Sequence, residues 1–392
     1  MPPGSSGAWA VFLEVDRMSI LSSLFGKEVV VGLDIGSSMI KAVQLEPTRM
    51  GFRVVRAAEQ KTPLGTVRDG VVISREAVAT AIRQMLQAAG ITANSAVLSV
   101  SGPSSMVRQI RVPKMNEATL AKSIRYEAGK YLSSNPEDSS LAFEILGPCE
   151  DDPTQMDVML VGASRDTVES RVVVAQMAGL EAVAVDIESF ALIRALVELS
   201  EDDFADTNLR AIVDMGAAHT EVIILSGPDF ALTRSIPISG DTFSDALKNQ
   251  LRIESSEAEL LKLDIDMGAL ITGEAAADTI ELARIIQTTV DELLREIRRS
   301  INYFQSQLAE EGVSASLSEI LLVGGSAQMR NMATYMSARL GIPTRLCDPF
   351  TNPRLETSPE AEEWLQEQGA SLTGALGLAL KESLAPQMGR KR

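Results

Sequence analysis

The sequence predicts an α/β protein of two similar domains facing each other across a cleft, and three stretches predict it. Residues 29–45 read Val-Val-Val-Gly-Leu-Asp-Ile-Gly-Ser-Ser-Met-Ile-Lys-Ala-Val-Gln-Leu. β-Branched residues lead into Asp34-Ile35-Gly36-Ser37-Ser38, and an alternating run from Ile40 to Leu45 leads out, the pattern of strand, tight turn and strand. Residues 211–225, Ala-Ile-Val-Asp-Met-Gly-Ala-Ala-His-Thr-Glu-Val-Ile-Ile-Leu, repeat it with Asp214-x-Gly216 in the turn. Ile320 to Gln328, Ile-Leu-Leu-Val-Gly-Gly-Ser-Ala-Gln, reads as a strand, a Gly-Gly turn and a helix start. A hairpin that occurs twice implies two related domains with a ligand cleft.

Gly36 permits backbone angles that other residues resist, so its turn can be tight with amides pointing outward. Such amides, flanked by the Ser37 and Ser38 hydroxyls, suit an anionic phosphate. Asp34 ends the first strand, where it can hold magnesium through the waters that the ion retains. Taken alone, Asp34-x-Gly36 also fits a plain hairpin turn. Its recurrence at Asp214-x-Gly216 favours the phosphate reading. The Gly324-Gly325 turn leaves a backbone that could lie flat against a purine or ribose.

Length and composition bound the rest. At 392 residues the chain suffices for two large domains, and its 45% hydrophobic and 23% charged residues are ordinary for a globular protein. A formal charge of −17 disfavours nucleic acid as a general partner, since phosphate repulsion is not offset on average. Cys149 and Cys347 make no disulfide framework and fit a reducing cytosol. The single histidine, His219, leaves no material for a His-based zinc site or a His-dependent triad; it reads as a polar turn residue inside the second hairpin. No apolar run is long enough for a transmembrane helix. Met1 to Asp16 reads as a disordered leader, with Met18 an alternative start, and Ser19 to Lys27 as a short amphipathic turn.

In order along the chain, Arg53–Ala58 is expected as a strand. A helix over Arg75–Ala89 is capped by Ser74 and stopped by Gly90. Strands follow at Ala96–Ser101 and Met106–Val112. Asn116–Tyr131 is a helix capped by Asn116, with Leu120, Ile124, Ala128 and Tyr131 as its buried stripe. Strands Leu141–Leu146 and Gln155–Ser164 flank an acidic turn at residues 150–153, and Asp166–Ala178 is a helix. Residues 105–180 thus read as an inserted unit of strand, helix, two strands and helix. Residues 181–187 are a strand, Glu188–Leu199 a helix, and Glu201–Asp206 an acidic surface link. After the second hairpin come a strand at Phe230–Ile236 and helices at Thr242–Leu251 and Glu254–Lys262. One long helix covers Thr279–Glu310, its stripe Leu282, Ile286, Val290, Leu293, Ile297, Ile301, Phe304 and Leu308 stepping by three or four. A helix at 328–340, a strand at 343–347, an acidic loop and short helix at 356–368, a small-residue helix at Ser371–Lys381 and a basic tail complete the reading.

Two phosphate hairpins followed by a strand, Gly-Gly and helix, in this order, resemble the actin-like ATPase superfamily across nearly all of residues 28–383. The matching motifs are Asp34-Ile-Gly-Ser-Ser with Lys41, Asp214-Met-Gly-Ala-Ala-His-Thr220, and Gly324-Gly325-Ser326-Ala327-Gln328. Weaker matches are Asp186-Ile-Glu-Ser-Phe-Ala-Leu and Thr373-Gly-Ala-Leu-Gly-Leu as connecting helices, Glu257-Ala-Glu259-Leu-Leu-Lys262, and Ile238-Ser-Gly240-Asp241, where Ser239 stands in place of the family's first Gly. The insertion at 105–180 resembles the FtsA/PilM branch. The runs Met-Ser-Ile-Leu-Ser-Ser-Leu-Phe-Gly-Lys, Tyr126-Glu127-Ala-Gly-Lys-Tyr-Leu and Asp348-Pro-Phe look most like the PilM family of the type IV pilus machine. The lack of an FtsA-type terminal amphipathic helix fits that choice.

The resemblance implies two RNase H-like domains around a nucleotide cleft. Their expected extents are 1–27 leader, 28–104 and 181–209 first domain, 105–180 insert, 210–370 second domain, and 371–392 a helix returning to the first domain with a tail. It implies ATP or ADP with Mg2+. Asp34, Gly36, Ser37, Ser38, Asp214, Gly216 and Thr220 would hold phosphates, with Lys41 as a charge partner and Asp34 and Asp214 orienting the hydrated metal. Gly240, Glu259, Lys262, Gly324, Gly325 and Ser326 would hold the nucleoside. Glu188 is the candidate to orient a water for hydrolysis, beside the plainer role of capping its own helix. Slow or no turnover is expected. The implied role is a cytoplasmic adaptor, peripheral at the inner membrane, that binds the N-terminal cytoplasmic peptide of PilN, serves pilus biogenesis and twitching motility, and forms a homo-oligomeric ring. PilO, reached indirectly, and the assembly and retraction ATPases are further implied partners, with no nucleic acid and only indirect membrane contact. An FtsA-like filament-forming division protein and a small-molecule kinase of the same fold are the alternatives.

Overall fold

β1 (Val30–Ile35) and β2 (Met39–Pro47) form the first expected hairpin in a computed structural model that describes residues 29–132, 135–149, 151–200, 208–274, 276–310, 312–313 and 315–388. The leader, the Ser19–Lys27 turn, the acidic link at 201–206 and the last residues of the tail lie outside the described residues, as do residues 133–134 and the first residue of the turn at 150–153. The described residues divide into two compact units, one drawn from residues 29–195, 354–356 and 374–388, the other from residues 196–353 and 357–373.

In the first unit β3 (Phe52–Lys61) extends the hairpin, and a small hairpin of β4 (Val67–Arg68) and β5 (Val71–Val72) precedes α1 (Arg75–Ala88). Ser74 does not cap α1 through its side chain; its carbonyl accepts from Val78 N–H at 3.2 Å. β6 (Ser95–Val100) leads to an insert of β7 (Ser105–Pro113), α2 (Glu117–Ala128), β8 (Ser139–Pro148) and β9 (Gln155–Ser164). Its three strands pair in the order β7-β9-β8. One face of this sheet buries Ile110, Val112, Met156, Val158 and Leu160 against Leu120, Ile124 and Ala128 of α2. Asn116 caps α2 as expected, its side chain accepting from Thr119 N–H at 2.8 Å. Tyr131 is not part of that stripe: Gly129, a weak helix former, follows the last helical residue, and the Tyr131 ring is exposed beside the Arg108 guanidinium.

α3 (Arg165–Met177) follows β9 with no linker residue and packs on α1 and β10 (Glu181–Ile187). α4 (Glu188–Ile193) then widens into a single π-type turn over Arg194–Glu198 where a plain helix is expected. The main sheet runs β10-β6-β1-β2-β3, antiparallel across β1-β2-β3 and parallel across β1-β6-β10.

The second unit uses the same plan. β11 (Leu209–Met215), β12 (Thr220–Ser226) and β13 (Asp229–Ile236) form the antiparallel meander. α5 (Gly240–Leu251), α6 (Ser255–Asp264), α7 (Ala269–Thr272) and α8 (Ala277–Glu310) follow. β14 (Leu317–Val323), α9 (Met332–Leu340) and β15 (Thr344–Leu346) complete it. Its sheet order, β13-β12-β11-β14-β15, repeats the first unit's order and sense, so the duplicated hairpin marks a duplicated topology. Ile286, Val290, Leu293, Ile297 and Ile301 of α8 are buried in the second unit's core; full burial of such a side chain contributes about 1.5–3 kcal/mol. The helix expected over 328–340 is shorter. Gly325–Gln328 is a 3-10 turn, and Asn331 (φ 56°) breaks the chain before α9, its Nδ2 donating to Asp266 at 2.8 Å.

β16 (Leu355–Glu356) pairs with β3, and α10 (Pro359–Met388) is one helix where two are expected. Its glycines mark close approach instead of helix ends. A Cβ on Gly369 would lie 2.0 Å from Asp348 Oδ1, and one on Gly377 would lie 1.8 Å from the Ala191 carbonyl oxygen. No helix among the described residues is long and apolar enough to cross a membrane.

Candidate nucleotide site

In the first unit, β1 delivers Asp34 at its carboxyl end, buried to 9% exposure. The antiparallel register sets Asp34 opposite Lys41, whose Nζ lies 3.9 Å from Asp34 Oδ2. Ser99, at the end of the neighbouring β6, donates to Asp34 Oδ1 at 3.3 Å. Gly36 N–H donates to the Met39 carbonyl at 3.0 Å and closes the turn. A Cβ on Gly36 would sit 2.7 Å from that same oxygen, so glycine is required there. Thr62 pins the tip from the side: its hydroxyl donates to the Gly36 carbonyl and its N–H to the Ser38 carbonyl, both at 2.8 Å. Ser37 and Ser38 are half-buried at the tip. Lys41 also faces Glu59 across the β2-β3 ladder; burial raises the Glu59 pKa and the Lys41 charge partly offsets it. Glu188 opens α4 and shares with Asp34 the field of the buried Arg171 guanidinium.

The second unit gathers more of the expected residues into one connected group. Gly216 N–H donates to the His219 carbonyl at 3.2 Å, closing the second hairpin as Gly36 closes the first. The Gly216 carbonyl accepts from Ser239 Oγ at 2.6 Å, Ser326 Oγ at 2.9 Å and Gly240 N–H at 3.2 Å. Thr220 points its hydroxyl at the Ile238 carbonyl (2.8 Å) and so ties the hairpin to the same turn. Gly240 has no space for a side chain: a Cβ there would meet Ser326 Oγ at 2.2 Å and Lys262 Nζ at 3.0 Å. Lys262 is 1% exposed and donates to the Gly240 carbonyl at 3.2 Å and to Glu259 at 2.6 Å. Glu259 also accepts from Ser244 and keeps an edge to solvent. Asp241 is held above its ordinary pKa by burial, with Lys262 pulling the other way.

Gly324 adopts φ 96°, and a Cβ there would lie 2.2 Å from Asp214 Oδ1, so the Gly-Gly turn lies directly against the hairpin carboxylate. Gly325 borders open space. In open α/β sheets the ground outside the carboxyl ends of parallel strands is where ligands bind. Asp214, Gly216 and Gly324 stand at the carboxyl ends of the adjacent parallel strands β11 and β14. No cluster of three or more His, Cys, Asp or Glu side chains stands ready to hold a bare metal ion among the described residues. A lone carboxylate such as Asp214 can hold only an ion that keeps most of its waters, as magnesium does.

Sequence reasoning missed the supports. Ser99, Thr62 and Arg171 hold the first hairpin from outside the motifs, and Ser239 holds the second from within one. Asp186, buried with Arg194 Nη2 at 2.9 Å and Lys381 Nζ at 3.0 Å, anchors α4 and α10. Ser239 carried a signal as the departure from Gly-Gly-Asp, and Asp186 as the first residue of a connecting-helix motif.

Comparison with known proteins bears on family and fold. A family model described as type IV pilus assembly protein PilM matches residues 32–383. A chain of the solved PilM–PilN type IV pilus biogenesis complex is 27% identical, with 90% of this chain and 98% of that one covered and a TM-score of 0.77. The cell division protein FtsA of Pseudomonas aeruginosa is 24% identical over 382 residues, 86% of this chain and 89% of that protein. MreB5 of Spiroplasma citri, solved bound to ADP, is 14% identical, with 93% of this chain and 99% of that one covered and a TM-score of 0.51. The fold is the actin-like ATPase fold.

Proposed function

The chain belongs to the PilM family of type IV pilus assembly proteins, and from that premise we propose that it is a cytoplasmic ATP-binding adaptor of the pilus assembly machine. It captures the N-terminal cytoplasmic peptide of PilN and links inner-membrane components to the motor, in support of pilus biogenesis and twitching motility. The likeness to the solved PilM–PilN complex supports that partner. One observation carries the nucleotide part: Gly240 and Gly324 present bare backbone beside Asp214 and Ser326, at positions where any Cβ would collide.

In this reading the amides at the two hairpin tips, those of Ser37 and Ser38 and those of Ala217 to Thr220, donate to phosphate oxygens, while the Gly36 and Gly216 amides close their turns. Lys41 balances charge beside Asp34. Magnesium, bound through water by Asp34 and Asp214, would neutralise phosphate charge. Gly324, Gly325 and Ser326 lie against the nucleoside, with Glu259 at its edge; Lys262 acts through Glu259 and the Gly240 turn. Glu188 is the candidate to orient water, and turnover is slow. Nucleotide then acts chiefly by altering the affinity for the peptide.

Calorimetric titration of the purified chain with the N-terminal peptide of the PilN encoded in the same genome, with and without ATP and magnesium, tests the proposal. One-to-one binding that Asp34→Ala alters only through nucleotide is the expected result. Absence of binding in both states overturns it.

A further inference from the structure

Arg171 lies in the middle of α3, outside every recognised motif, and is 4% exposed. A buried guanidinium ordinarily faces a carboxylate in a two-pronged bond. Arg171 does not: its Nη1 donates to the Ile35 carbonyl at 2.8 Å, and its Nε has no hydrogen-bond partner among the described residues. Desolvation pulls its pKa down, while the charges of Asp34 and Glu188 push it up. Enclosing a charge this way is costly, so the arrangement calls for a role.

Ile35 sits between Asp34 and Gly36, and β1 has already lost its parallel neighbour: the last β1–β6 register pair is Leu33 with Leu98. The Ile35 carbonyl is therefore beyond that ladder, and a buried carbonyl needs a donor. Arg171 supplies it, at the residue on which the hairpin begins to turn. The donor's own support comes from elsewhere. α3 continues β9 without a linker residue, and β9 is the central strand of the inserted sheet. Arg171 follows Arg165 by six residues, less than two helical turns, so a change in the seat of the sheet is carried to the guanidinium by a rigid element.

We infer that Arg171 is a positioning residue for the first hairpin: it holds the turn in its phosphate-accepting form and ties that form to the seat of the inserted sheet. The inference rests on the nucleotide reading above and names the side chain that connects its two halves.

The test compares the unmodified chain with Arg171→Lys, Arg171→Met and Val174→Ala, the last a change at a fully buried position of the same helix whose side chain can make no hydrogen bond to the hairpin. Affinity for a fluorescent N-methylanthraniloyl-ATP with magnesium, hydrogen exchange of residues 35–41 and thermal melting are measured for each. Arg171→Met is expected to bind roughly tenfold to hundredfold more weakly, with faster exchange at 35–41, and Arg171→Lys to lie between. Val174→Ala should melt earlier yet bind within about twofold of the unmodified chain. If Arg171→Met fails to fold, Arg171→Lys decides. The PilN peptide should shift nucleotide affinity in the unmodified chain and not in Arg171→Lys. Unchanged affinity and exchange in the Arg171 variants, equal weakening by Val174→Ala, or a peptide effect that Arg171→Lys leaves intact overturns the assignment alone. Failure of the unmodified chain to bind the nucleotide overturns the reading of the site, and the assignment with it.

Discussion

The Ser326 hydroxyl donates to the Gly216 carbonyl at 2.9 Å across 110 residues of sequence. That bond joins the Gly-Gly turn to the second hairpin and fixes the two backbones between which a nucleoside and its phosphates would lie. Ser326→Ala removes one of three donors to Gly216. We expect a stability loss of about 1 kcal/mol by denaturant unfolding and a larger proportional loss in nucleotide affinity, measured with the fluorescent analogue.

Gly324→Ala adds a methyl group where φ is 96° and Asp214 Oδ1 would be 2.2 Å away. The turn must shift, at a cost of about 1–3 kcal/mol in stability. Nucleotide affinity should drop below detection in calorimetry while the peptide still binds. Gly325→Ala, which borders open space, serves as the control and should melt within about 2 °C of the unmodified chain.

Asp186 sits with no exposed side-chain surface between Arg194 and Lys381. Asp186→Ala leaves two cations enclosed and should cost about 3–5 kcal/mol by chemical denaturation. Lys381→Met leaves the Asp186–Arg194 pair balanced and is expected to cost less than half as much. Equal losses from the two variants would show that the carboxylate is not the centre of the cluster.

Burial pushes the Cys347 thiol from an ordinary value of 9.0 up to about 11. Between those values the unfolded chain has released the proton and the folded chain still holds it. The protonated thiol's contribution is therefore intact below about pH 9 and is lost as pH rises through 11, a decline of roughly 2–3 kcal/mol. Tyr335, pushed up to about 12 by burial and its bond to Asp291, acts in the same direction at higher pH. Urea unfolding at pH 8 and pH 10.5 checks this, and Cys347→Ala should flatten the first part of the decline.

Much of the architecture was legible because its signals are local. Asp34-x-Gly36 and Asp214-x-Gly216 between β-branched runs have few solutions other than a tight hairpin, and Gly36 and Gly216 close their turns by the same bond, to Met39 and His219. The stripe through α8 steps with the helical repeat, so its length and buried face followed from side-chain spacing alone. The residues that meet around the Gly216 carbonyl in the second unit were legible as short motifs for the same reason, since each motif carries its own local geometry.

What the amino-acid order determined by itself is thus the set of turns and periodic faces, each decided within a few residues by backbone freedom and hydrophobic spacing. The tertiary structure alone decided which groups meet across long separations. Gly369 and Gly377 are weak helix formers, yet α10 runs straight through them, and the Asp348 side chain and the Ala191 backbone occupy the space their missing side chains leave. Lys262 reads as a charge for a ligand, yet packing encloses it on the Gly240 carbonyl. Arg171 carried no signal in the sequence, since its partner is a main-chain oxygen 136 residues away. A bond to backbone leaves no matching residue type for a reader of the sequence to find.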